Sequence, residues 1–100
     1  MIKAYKSRAN TLVALDDVNE ELTNISISSE FVLINIEKQD AVSRSIFQTS
    51  FEEDAHLEQM SEQDFLDVKQ RVSEFILGVI NHQDLLDATT GFHLISSQTP

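Results

Sequence analysis

The sequence predicts an α+β fold. A small antiparallel sheet, centred on a hairpin over about residues 30–51, packs against an amphipathic helix over about 62–82 and an N-terminal helix over about 11–24. Three observations predict it. Phe31-Val32-Leu33-Ile34-Asn35-Ile36 is a β-branched and aromatic run of strand length. Phe65, Val68, Val72, Phe75, Ile76 and Val79 recur on one helical stripe. Leu12, Leu15, Val18, Leu22 and Ile25 recur at three- and four-residue spacing.

In chain order, Ile2 to Tyr5 reads as a short terminal strand. Asn10 or Thr11 then caps the first helix, with Asp16, Asp17, Glu20 and Glu21 largely on its polar side. The competing reading is a strand over Thr11–Leu15 turned by Asp16-Asp17. The strand Phe31–Ile36 is apolar on both faces, which predicts cover on both sides. An earlier start is suggested by Ile25 and Ile27, which alternate with Ser26 and Ser28. Lys38-Gln39-Asp40-Ala41 turns the chain without a glycine, so a loop longer than two residues is expected. Val42 to Phe51 alternates, with Phe47, Thr49 and Phe51 on one face and Arg44, Ile46, Gln48 and Ser50 on the other. That alternation predicts the return strand.

Glu52 to Met60 is an acidic connection. Ser61-Glu62-Gln63-Asp64 resembles a capping box, and its acids favour the positive end of the helix that follows. Leu66, Leu77 and Ile80 widen the apolar stripe of that helix well past the ~100° of a one-sided surface helix, which predicts two-sided burial or an interface. His82 is expected at its C-terminus, where an imidazolium suits the dipole. Asp84 to Ala88 adds a short helical turn, Thr89-Thr90-Gly91 breaks it, and Phe92 to Ile95, with His93 facing solvent, forms a last strand.

The 100 residues suit one domain, and 41% hydrophobic content is enough for one core. With no cysteine, the chain has no disulfide, thiolate zinc site or cysteine nucleophile. The opening Met1-Ile2-Lys3-Ala4-Tyr5-Lys6 lacks the apolar run of a secretory signal, and the longest apolar stretches are too short to span a bilayer. The expectation is a cytoplasmic protein.

Charge is the most informative feature. The formal net charge is −10, yet Lys3, Lys6 and Arg8 stand in the first eight residues; from Ala9 onward 4 basic residues face 17 acidic ones. Between Ser45 and Val68 lie Glu52, Glu53, Asp54, Glu58, Glu62, Asp64 and Asp67 with no Lys or Arg. Nucleic acid and anionic lipid bind through lysine and arginine, so this balance argues against both as direct partners.

Catalytic signals are sparse. Glu53-Asp54-Ala55-His56 has the Glu-x-x-His spacing of di-iron sites, but in one copy where two are needed, and within an expected loop. There is no nucleophile elbow, no glycine-rich phosphate loop and no EF-hand loop around the acids. The sequence argues against an enzyme and implies no cofactor and no metal.

A dense negative surface beside surplus apolar residues suits a protein partner, because charge speeds and selects encounter while apolar anchors hold. The candidate partner-binding residues are Glu52, Glu53, Asp54, Glu58, Glu62, Asp64, Asp67, Leu66 and Leu77. The expected function is a small acidic binding module that covers the basic, nucleic-acid-binding surface of a nuclease, toxin or related effector. Immunity proteins and anti-CRISPR-like phage inhibitors are examples of that physical type. Lys38, Arg44, Lys69 and Arg71 dilute the pattern, and Lys69 and Arg71 have local partners in Asp67 and Glu74. The alternatives are a protein that self-associates as a dimer or ring, and a small enzyme or metal-binding protein.

Overall fold

Four successive strands occupy the first 38 residues. The computed structural model describes residues 1–7 and 10–90. In it β1 (Ile2–Ser7), β2 (Thr11–Asp16), β3 (Glu21–Ile27) and β4 (Val32–Lys38) are followed by α1 (Ala41–Glu53), β5 (Leu57–Met60), α2 (Glu62–Ile76) and α3 (His82–Thr90). The strands form one antiparallel sheet in the order β4-β3-β2-β1-β5. The class is α+β, as expected.

The expected N-terminal helix is instead the β2–β3 hairpin. Its three- and four-residue spacing arises because β2 is central and buried on both faces: Leu12 and Ala14 lie on one side, Val13 and Leu15 on the other. The turn is fixed locally. The Asp16 carboxylate accepts the Val18 and Asn19 N–H groups at 2.9 and 3.0 Å and the Asn19 side-chain amide at 2.9 Å. Such an Asx arrangement competes with helix. Val18, expected on the apolar face, sits exposed in that turn.

The hairpin expected over 30–51 holds only in its first half, since the return segment is α1. Phe47 and Phe51 are four apart, which is one face of a strand and equally one turn of a helix. The cap decides. Asp40 has extended backbone and its carboxylate accepts the Ser43 N–H at 2.8 Å.

The helix expected over 62–82 starts as read, with Ser61 Oγ accepting the Asp64 N–H at 3.0 Å. It ends earlier, at Ile76. Leu77 caps it and Gly78 follows at φ +80°, a left-handed conformation that glycine adopts without strain. His82 opens α3 rather than closing α2. Its ring nitrogen lies 2.7 Å from the Ser28 carbonyl oxygen, and its ring lies 5.5 Å from that of Phe75. The strand expected over Phe92–Ile95 lies outside the described residues.

The core sits on one face of the sheet. Ala4, Leu12, Ala14, Ile25, Ile27 and Met60 meet Phe65, Val68 and Val72 of α2 and Leu85 of α3. Burial of each large side chain there contributes roughly 1.5–3 kcal/mol. α1 lies on the other face, where Phe51 packs on Tyr5 with ring centroids 5.7 Å apart. β4 departs most from expectation. It is an edge strand, and all but the first of its residues are exposed.

Candidate functional site

Two sheet edges of opposite character stand out. At the β5 edge, the chain runs from α1 on one face, through four residues of β5, to α2 on the other. Such a strand is only roughly 13 Å long. It therefore gathers the acids of three elements: Glu52 and Glu53 close α1, Asp54 is its C-cap, Glu58 is in β5, Glu62 and Asp64 are in the first turn of α2, and Asp67 follows. Glu52, Glu53, Asp54, Glu62 and Asp67 are exposed, while Glu58 and Asp64 are half-buried.

The chemistry of these acids divides. Glu62 accepts the Ile2 N–H at 2.7 Å, and Asp67 accepts from the Gln63 side chain at 2.9 Å. Glu62 and Asp64 also stand where the α2 dipole favours negative charge. These have a structural account. Glu52 and Glu53 stand at the C-terminal end of α1, which has no basic residue in its last turn, so the dipole disfavours them. The ion pairs among the described residues join the Met1 amine to Asp17, Lys38 to Glu21 and Arg71 to Glu74; none involves the seven acids.

Inside this edge two polar side chains of β1 are buried. The Tyr5 hydroxyl lacks a well-formed hydrogen bond beneath α1. Burial first, and the Glu52 carboxylate second, hold its pKa above the ordinary phenol value. Lys6 faces Glu58 across the β1–β5 ladder. Burial pushes the Lys6 ammonium down, and Glu58 opposes this. Sequence reasoning did not single out Tyr5 or Lys6, because their burial depends on β5 pairing with β1.

The two apolar candidates separate. Leu66, 38% exposed, is next to Asp67 on α2 and belongs with the acids. Leu77 is more exposed, but lies about 22 Å along the helix from Glu62 at 1.5 Å per residue. The Glu53–His56 motif is a helix end and a turn, in which the Asp54 carboxylate accepts the His56 N–H at 2.8 Å. Among the described residues, no three His, Asp or Glu side chains are grouped to hold a metal ion, and no helix is long and apolar enough to cross a membrane. A pocket of about 170 Å³ under the start of α1 is shared by Lys3, Arg44 and Asp17, whose carboxylate is held by the Met1 ammonium at 2.6 Å.

The β4 edge is apolar. Phe31, Leu33, Ile34 and Ile36 are exposed there. Ser28 N–H donates to the Phe31 carbonyl and Gln39 N–H to the Glu20 carbonyl, each at 2.9 Å, at the two ends of the β3–β4 ladder. Hydrogen-bonding direction alternates along a strand, so the odd-numbered residues of β4 bond β3. Val32, Ile34, Ile36 and Lys38 thus point their N–H and C=O groups out of the sheet. The two-faced apolar run was the signal in the sequence, although it had implied cover rather than an open edge.

No protein-family model, curated protein or solved structure matches the chain.

Proposed function

We propose that the chain is an acidic protein-binding module whose β5 edge covers the basic, nucleic-acid-binding surface of a partner protein. The observation that carries this reading is the placement of Glu52, Glu53 and Asp54: exposed, without a basic partner among the described residues, and at the end of α1 where the helix dipole disfavours them. Departures from local consistency are expected at functional sites. Leu66 supplies an apolar anchor beside Asp67, and Glu58, half-buried and facing Lys6, lies between the helices. The mechanism is occlusion. Electrostatic steering raises the association rate, and the partner's lysines and arginines are then unavailable to phosphate.

The test starts with the basic proteins that the chain retains from its native host, identified by mass spectrometry. Binding kinetics then compare the wild type with a Glu52→Gln, Glu53→Gln, Asp54→Asn variant. The association rate is expected to fall on the order of tenfold, and wild-type binding to weaken steeply with salt. An unchanged association rate for the triple variant sinks the proposal.

A further inference from the structure

We propose that β4 is the seam of a two-fold homodimer, in which two copies pair antiparallel along Val32–Lys38 with Ile34 opposite Ile34 of the second copy, joining two five-stranded sheets into one. Three observations converge on a second copy as the occupant. The first is the backbone. Val32, Ile34, Ile36 and Lys38 present outward N–H and C=O groups along a seven-residue strand with no proline. Natural edge strands are usually short, charged, bulged or covered, and this one confines its charges, Glu37 and Lys38, to its last two residues.

The second is self-complementarity. Outward groups satisfy one another only when even-numbered residues face even-numbered residues. With Ile34 facing itself, Val32 faces Ile36, and Lys38 comes opposite the turn that carries Glu30. Apolar side chains then meet apolar ones on the core side, and the turn bearing Glu30 brings an opposite charge towards Lys38 at each end. Centring instead on Ile36 sets Ile34 against Lys38 and Val32 against Asp40. Centring on Val32 sets Glu30 against Ile34. Centring on Leu33 sets Glu30 against Ile36, and centring on Asn35 sets Val32 against Lys38. Cross-strand pairs of like character stabilise a ladder and mismatched ones do not, so the core-side pairs favour the register centred on Ile34, although on the other face Leu33 meets Asn35.

The third is electrostatic. Two chains of net charge −10 repel, but the seven acids gather at the opposite edge of the sheet. Pairing through β4 leaves the two β5 edges nine strand spacings apart, roughly 43 Å at 4.8 Å each. That is several times the Debye length of about 8 Å at physiological salt. Both acidic edges stay open, so this dimer and the proposed binding activity stand or fall separately.

The chain has no cysteine, which permits a clean cross-linking test. Directly opposite hydrogen-bonded residues lie about 5.5 Å apart at Cα, within disulfide range. Ile34→Cys is expected to form a disulfide-linked dimer on the order of tenfold faster than Ile36→Cys, whose copies are offset by about 13 Å along the strand in this register. Sedimentation equilibrium of the wild-type chain should give twice the 11.3 kDa mass, and Ile34→Lys, which opposes two ammonium groups, should return it to the single mass. Circular dichroism verifies that the exposed substitution leaves the fold intact. A wild-type monomer at all concentrations overturns the proposal, and is the result expected if residues 91–100 or a foreign strand takes the edge instead. A dimer in which Ile34→Cys and Ile36→Cys cross-link equally slowly also overturns it.

Discussion

At the turn between β2 and β3, Asp16 is buried, which alone would push its carboxyl up. The backbone and side-chain donations of Asn19 and the Val18 N–H outweigh burial, and the pKa lies below the ordinary aspartate value. A carboxylate depressed by folding stabilises the protein above its unfolded pKa, and that contribution is lost as pH falls through the folded value. Stability should therefore decline below about pH 4, the ordinary aspartate range. Asp16→Asn should flatten part of that decline in urea titrations taken at successive pH values. An equally steep acid limb in the variant would show that Asp16 does not contribute to it. Asp17, held by the Met1 amine, and Asp40, held by Ser43, shift in the same direction, so the flattening is partial.

Among the elements, α2 couples the core to the acidic edge. Phe65, Val68 and Val72 bury one side of it, while Leu66 and Ile76 are exposed, so the wide apolar arc read from the sequence is only partly absorbed by the fold. Its start depends on Ser61, whose hydroxyl oxygen accepts an N–H that the helix leaves unpaired. Ser61→Ala should cost about 1 kcal/mol of unfolding free energy by urea denaturation. It should also loosen the packing of Glu62 on the Ile2 N–H, which hydrogen exchange at Ile2 would reveal. A variant as stable as the wild type would mean that packing of Phe65 alone fixes the first turn. α1 differs: none of its residues is buried, and it holds to the sheet through half-buried side chains such as Phe47 and Phe51.

At the scale of the whole molecule, the charge is polarised across the sheet. Acids crowd the β5 edge and apolar side chains line the β4 edge, with the buried strands β1 to β3 between them. Repulsion within a chain of net charge −10 opposes compaction, and salt screens it. Raising ionic strength from about 0.01 M to about 0.15 M shortens the Debye length from about 30 Å to about 8 Å. The thermal midpoint should rise by a few degrees over that interval. A fall would mean that the attraction in the exposed ion pairs outweighs the repulsion. Salt therefore has opposite expected effects on the two properties, strengthening the fold and weakening the acidic edge's grip on a basic partner.

The sequence by itself determined the α+β class, the charge imbalance, the strand at Val32–Ile36 and the cap at Ser61. Each is written in composition or within a few neighbouring residues. Period was misleading where one spacing serves two structures. Leu12 to Ile25 mimicked a helix because a central strand is apolar on both faces. Phe47 and Phe51 mimicked a strand because four residues is both one helical turn and two strand repeats. Strand order was invisible for a different reason. Which strand stands at an edge depends on pairings between residues far apart in the chain, such as Ala4 with Met60. Only those long-range pairings brought the α1, β5 and α2 acids to one edge, buried Tyr5 and Lys6 behind them, and left the most apolar strand at the other edge with half its backbone groups unpaired among the described residues.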